Sequence, residues 1–208
     1  MRVVPVNHGL DLLKSDLVRS PGLHASTIFG DLFKELEPKR YNRPDPMNPV
    51  LMMLGSAFED RFEKILKWNG VEAERLGEFL SPEGVAFSPD LILHDIGKKR
   101  PEWFPLGPAT RVGEMKLTSM SLAVFPTEAT NGLPRKADKF DCQMKLYANW
   151  LDLCNGWLVV CSIREPWNPV LGIYDILWTE RELLENEQMC TSFARQRGLV
   201  PREGAASE

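Results

Sequence analysis

The spacing of apolar side chains divides the chain into helical and extended stretches. In 24–35, HASTIFGDLFKE, Ile28 and Leu32, with Leu36 just beyond, share one helical face. This predicts a helix capped by Ser26 or Thr27 and ended by Pro38. PDPMNP at 44–49 predicts a loop. From Pro49 to about Trp68, Leu51, Leu54, Phe58, Phe62 and Ile65 form an apolar stripe, and Asn69-Gly70 stops the helix. Strand signals follow at 76–80, 85–87 and 90–94, the first pair separated by a Ser-Pro-Glu-Gly turn. Residues 95–110, DIGKKRPEWFPLGPAT, read as a long loop, and RVGEMKLTS at 111–119 as a strand. A looser segment leads to a helix at 139–153. WLVVCSIRE (157–165) and VLGIYDILW (170–178) read as two strands joined by a Pro-rich turn. A final amphipathic helix carries Thr179 as N-cap with Glu182 three residues on. The expected fold is an α/β domain, a mixed central β-sheet flanked by helices, over residues 1–200, with 201–208 as a frayed tail.

Composition narrows the function classes. The chain has 208 residues, 43% hydrophobic and 26% charged, the balance of a globular protein rather than a disordered or fibrous one. No run of about 18 apolar residues occurs, so no spanning helix is expected. The N-terminus carries charges where a signal peptide needs an apolar stretch, so a cytoplasmic location is expected. A net charge of -4 argues against a histone-like coat, yet is compatible with a local basic groove beside acidic ligands. Cys142, Cys154, Cys161 and Cys190 lack zinc spacing and read as reduced thiols. His8, His24 and His94 show no metal-ligand spacing. Trp68, Trp150, Trp157 and Trp178 read as core.

The candidate chemistry begins in strand 111–119. Alternation puts Val112, Glu114, Lys116 and Thr118 on one face. Alone, Glu114 and Lys116 are a surface ion pair of small value. Asp90 opens the preceding strand, and an antiparallel neighbour can bring its carboxylate beside Glu114. Two adjacent carboxylates repel and raise each other's pKa unless a cation lies between them. Mg²⁺ takes one or two carboxylates together with water and phosphate. Glu59, on the 49–68 helix, is a third acid, with Gly55 on its face as a point of close approach to the sheet. Asp60, Glu63 and Lys64 beside it leave open a solvated helix face. Lys116 can orient a water against a phosphodiester.

In this order, Gly55-x-x-x-Glu59, Ser88-Pro89-Asp90, Glu114-Met115-Lys116 and Gln143-Met-Lys-Leu-Tyr147 resemble the PD-(D/E)XK nuclease superfamily, in its RecB-like and lambda-exonuclease-like branch. Leu23-His-Ala-Ser-Thr-Ile-Phe is similar to the N-terminal serine motif of RecB-type nucleases. The resemblance implies a restriction-endonuclease-like core. It implies Mg²⁺ or Mn²⁺ held by Asp90, Glu114, the Met115 carbonyl and Glu59. Lys116 would position the attacking water, and Gln143 and Tyr147 would brace the lysine or the DNA backbone. Where iron–sulfur members carry Cys-Pro, this chain has Glu37-Pro38, so no iron–sulfur cluster is expected. DNA contacts are expected at Arg19 and Ser26, at Lys98, Lys99 and Arg100 with Trp103 and Phe104 in the long loop, whose alternative is a solvated charged loop with its own small apolar cluster, and at Arg135, Lys136 and Lys139.

The implied activity is a Mg/Mn-dependent deoxyribonuclease, an exonuclease acting on DNA ends in recombination, repair or phage DNA processing. A structure-selective or single-strand endonuclease and a non-catalytic DNA-binding subunit on the same scaffold are the alternatives. The implied partners are DNA, a single-strand-annealing or recombination protein and further copies of the chain, with no membrane.

Overall fold

A computed structural model describes residues 21–41, 49–75, 77–94, 110–128, 130, 132–165 and 167–200. Five helices are seen there: α1 (Ala25–Leu36), α2 (Pro38–Tyr41), α3 (Pro49–Trp68), α4 (Asp138–Trp150) and α5 (Glu180–Gln196). The strands are β1 (Ala73–Glu74), β2 (Phe79–Leu80), β3 (Ala86–Phe87), β4 (Leu91–Leu93), β5 (Arg111–Thr118), β6 (Asn155–Ser162) and β7 (Val170–Leu177). A five-stranded sheet runs β1-β4-β5-β6-β7, and β2 and β3 form a separate pair. Only β5 and β6 are parallel; the other neighbours are antiparallel. The architecture is the expected mixed central sheet flanked by helices.

The central strands are buried on both faces, which is why β6 reads as the unbroken apolar run Trp157-Leu158-Val159-Val160 rather than an alternation. On one face α1, α4 and α5 bury Ile28, Phe29, Met144, Leu146, Phe193 and their neighbours against Val112, Leu158 and Val160. On the other, Phe62 and Leu66 of α3 meet Leu91, Leu93, Met115, Trp157 and Val159. Gly113 lets β4 and β5 pack tightly, since a Cβ there would lie 2.9 Å from Leu93 Cδ1 and 3.1 Å from Leu91 Cβ. Helix α5 starts with the expected capping box, in which the Glu182 amide donates to Thr179 Oγ1 and the Thr179 amide to the Glu182 carboxylate.

Several expectations need correction. The N-cap of α1 is His24, whose extended backbone bridges Ala86 before the helix begins, and neither Ser26 nor Thr27 caps it. The α3 stripe is buried only toward its C-terminal end. Phe62 and Leu66 are covered, whereas Leu51 and Leu54 are exposed, because the sheet underlies only that end of the helix; Ile65, beside Leu66, is also exposed. Gly55 is no point of close approach, as a Cβ there would meet nothing within 4 Å. Trp68 is 66% exposed and lies under the Arg61 guanidinium, 4.6 Å from its ring centroid, rather than in the core. Of the strand expected at 76–80, only β2 at its end is seen among the described residues, and Gly77, at φ +79°, takes the left-handed turn before it. Among the described residues no helix is long and apolar enough to cross a membrane.

Candidate active site

Strand β5 carries the centre of the site. Its alternation turns Met115 into the α3-side core and turns Glu114 and Lys116 toward α4. Leu91 pairs with Gly113 and Ile92 with Val112, so continuing the register by one residue sets Asp90 opposite Glu114. The Asp90 carboxylate accepts a hydrogen bond from the Met115 amide at 2.7 Å, which fixes it at the strand edge. Lys116 Nζ lies 3.7 Å from Asp90 Oδ2 and in direct contact with Glu114 Oε1. Lys116 thus claims Glu114 Oε1, while Glu114 Oε2 accepts no hydrogen bond among the described residues.

Burial makes this arrangement electrostatically tense. Glu114 is 0% exposed, and Asp90 and Lys116 keep 18% and 27% of their side-chain surface open. Desolvation, with the Asp90 charge adding to it, pushes the Glu114 carboxyl up to about 8, although Lys116 pulls the other way. Burial works against the Lys116 charge, but Glu114 and Asp90 outweigh it and hold that lysine protonated well above its ordinary range. A buried carboxylate with an unpaired oxygen is costly, and such groups are neutralised by a proton or a cation.

Helix α4 closes the site. Lys116 Nζ lies 5.8 Å from the centroid of the Phe140 ring. Gln143 and Tyr147, four residues apart, share a helical face, with Gln143 Nε2 at 3.5 Å from the Tyr147 hydroxyl. Tyr147 is buried against the Phe29 and Phe87 rings, so it braces the helix from below. The sequence alone does not single out Phe140, although its place three residues before Gln143 puts it one helical turn away on the same face.

Glu59 is not joined to the pair. Arg75 takes it at 3.6 Å and also reaches Asp60 at 3.0 Å and Glu63 at 3.5 Å. Glu59 nevertheless senses the site. Burial first and the Asp90 charge second raise its pKa, against Lys116. Nothing in the sequence pointed to Arg75, which meets α3 only through the fold.

The expected DNA-contacting residues divide. Arg19, Lys98, Lys99, Arg100, Trp103 and Phe104 lie outside the described residues. Ser26 sits half-buried in the first turn of α1. Arg135 is exposed but paired with Glu37 at 2.8 Å. Lys136 is exposed just before α4, and its carbonyl and that of Arg135 accept from the Arg40 guanidinium. Lys139 is half-buried, 5.6 Å from the centroid of the Tyr41 ring. Burial, then the Lys116 and Lys34 charges, push its pKa down.

The donor chemistry can be weighed against a cation. Among the described residues no three His, Cys, Asp or Glu side chains are gathered into a ready metal cage. Asp90, Glu114 and the Met115 carbonyl offer oxygen donors alone, and the unpaired Glu114 Oε2 faces no competing hydrogen-bond donor. That set fits a hard divalent ion such as Mg²⁺ or Mn²⁺, not a thiolate-bound metal.

No family model matches the chain. No curated protein matches it either. Among solved structures, the chain is similar to a protein named SSO0001 at 15% identity and a TM-score of 0.48, over 88% of this chain and 80% of that one. It is also similar to the alkaline exonuclease LHK-Exo from Laribacter hongkongensis, seen by itself and in complex with dAMP, each at 14% identity and a TM-score of 0.48, over 84% of this chain and 87% of that one.

Proposed function

We propose that this chain hydrolyses phosphodiester bonds of DNA, acting from ends, with Mg²⁺ or Mn²⁺ held by Asp90, Glu114 and the Met115 carbonyl. The observation that carries the reading is the fully buried Glu114 carboxylate, set between Asp90 and Lys116 with an oxygen that no hydrogen bond satisfies. A scaffold gains nothing from such a group, whereas a hydrolytic site needs oxygen donors that a cation can claim. When bound, the ion supplies Lewis acidity, which lowers the pKa of water and offsets charge building on the phosphate.

The residues of the chain do the rest. Lys116, held protonated, donates to the attacking water and attracts the scissile phosphate. Phe140 of α4 lies beside the lysine, and Gln143, with Tyr147 below it, braces the lysine or the DNA backbone. Glu59 is near enough to feel the Asp90 charge, and turning from Arg75 would let it reach the ion through water. Lys139 stands close to the Lys116 charge, and two desolvated ammonium groups favour an anion between or beside them. Lys139 and Lys136 therefore suit the DNA backbone, in contacts that position the substrate without reading its sequence. Arg135, neutralised by Glu37, contributes less.

Incubating the protein and Mg²⁺ with linear duplex and with covalently closed circular DNA of the same sequence tests the end dependence. Loss of the linear form alone is expected. Cutting of the circle would favour the endonuclease reading, and inertness toward both would favour a DNA-binding scaffold.

A further inference from the structure

Strand β7 is the outer strand of the sheet. It pairs with β6 over eight residues, from Ser162–Val170 to Asn155–Leu177, without a bulge. In such a strand every second residue turns its N–H and C=O away from the paired neighbour. Natural edges are guarded by lysine, proline, a bulge or shortness. VLGIYDIL has none of these. Its one charge, Asp175, is tied to Arg111 at 2.7 Å. Among the described residues no other strand or loop backbone pairs with the outer side of β7.

The two sides of this edge differ chemically. Tyr174 and Ile176 point toward the α4 and α5 layer, and Ile173 toward α3. On the α3 side Leu171 and Leu177 are 47% and 74% exposed, and Trp167, in the turn before β7, is 84% exposed. A cleft of about 710 Å³ runs along the strand from Ile173 to Trp178, and toward the α4 and α5 layer Glu128, Asp141 and Glu182 face a single ammonium, Lys145, while Asp175 is held by Arg111. Lys145 is already paired with Asp141 at 2.7 Å, so the cleft is net acidic.

We propose that the β7 edge docks an extended, basic segment of a partner protein, which adds to the sheet as a further strand. Side chains alternate along a strand, so the same segment can direct lysine or arginine into the cleft and apolar residues onto Leu171, Leu177 and Trp167. The charge selects this occupant over others. Two copies of this chain paired edge to edge about a two-fold axis would bring their acidic clefts to the same side of the joined sheet, where they repel. A nucleic acid would meet carboxylates instead of cations. The site is independent of the proposed hydrolytic centre, which lies on β5 and the start of β4.

A capped eight-residue peptide of alternating lysine and valine serves as the probe against the whole protein. Amide NMR shifts and fluorescence anisotropy provide the readouts. Saturable binding is expected, with shifts confined to β7 and to the cleft around Glu128, Asp141 and Glu182. Binding is expected to weaken by roughly tenfold or more when alternate amides of the peptide are N-methylated, when glutamate replaces its lysines, or in Leu177→Lys, which puts a guarding lysine on the edge. Leu177 is 74% exposed, so this variant keeps the fold and whatever DNA cleavage the wild type shows. Several results would overturn the proposal. They are no binding at millimolar peptide, equal binding of the methylated or glutamate peptide, and shifts centred on Lys136 and Lys139. A dimer that Leu177→Lys dissociates would also overturn it, because the occupant would then be a second copy.

Discussion

Lys116→Ala is expected to lower cleavage of linear DNA by a factor on the order of 10²–10³, the range for losing one positioned donor that stabilises developing charge in the transition state. Lys116 contacts Glu114, lies 3.7 Å from Asp90 and stays protonated, so it is the site's only described cation placed against both carboxylates. The fold should survive its removal. Glu114, pushed up to about 8 by burial first, already holds a proton at neutral pH, and losing the lysine only strengthens that hold, so no bare buried charge is left behind. Glu114→Gln keeps the shape of the side chain and removes its charge, and a loss of similar size is expected. Circular dichroism beside the assay separates lost chemistry from lost structure. Wild-type cleavage by Lys116→Ala would remove the lysine from the mechanism.

The second large effect is a pH-dependent affinity for the cation. The folded-state pKa of Glu114, about 8, lies above that of an unfolded glutamate, roughly 4.3. A raised carboxyl pKa stabilises the folded protein while the proton is bound. That contribution is complete below the unfolded value and is lost as pH rises through the folded one, so the metal-free protein should weaken between about pH 4 and pH 8. The raised pKa of Lys116 has the same sign but acts only in the alkaline range, since its contribution persists until pH passes the ordinary lysine value. A divalent ion that displaces the Glu114 proton should bind roughly tenfold more tightly for each pH unit gained below 8, and level off above it. Calorimetric titration with Mn²⁺ between pH 6 and pH 8 should therefore show a change of about 50-fold in the wild type. In Glu114→Gln this slope should vanish. An affinity that stays flat with pH in the wild type would mean that Glu114 does not exchange its proton for the ion.

Local rules made much of this legible from sequence. The alternation in RVGEMKLTS set Glu114 and Lys116 on one face, and an antiparallel neighbour starting at Asp90 was enough to bring a second carboxylate opposite. Thr179 and Glu182 announced the α5 capping box, and the bounds of α3 followed from Pro49 and Asn69-Gly70. Periodicity identifies the apolar face of a helix but not how far its neighbour extends. The stripe therefore predicts Leu51 and Leu54 as covered, although the sheet reaches only the Phe62 and Leu66 level. The α1 cap failed for a tertiary reason, because the bridge from His24 to Ala86 fixed where the chain leaves its extended path. The capture of Glu59 by Arg75 depends on how the chain folds back after α3, which residue spacing does not encode.

The most direct test is the anomalous difference map of a crystal soaked in millimolar Mn²⁺. A peak is expected about 2.1 Å from carboxylate oxygens of Asp90 and Glu114 and from the Met115 carbonyl, with Lys116 moved off Glu114 but still beside the ion. Density at that place for water alone, with Lys116 still pressed against Glu114, would contradict the account.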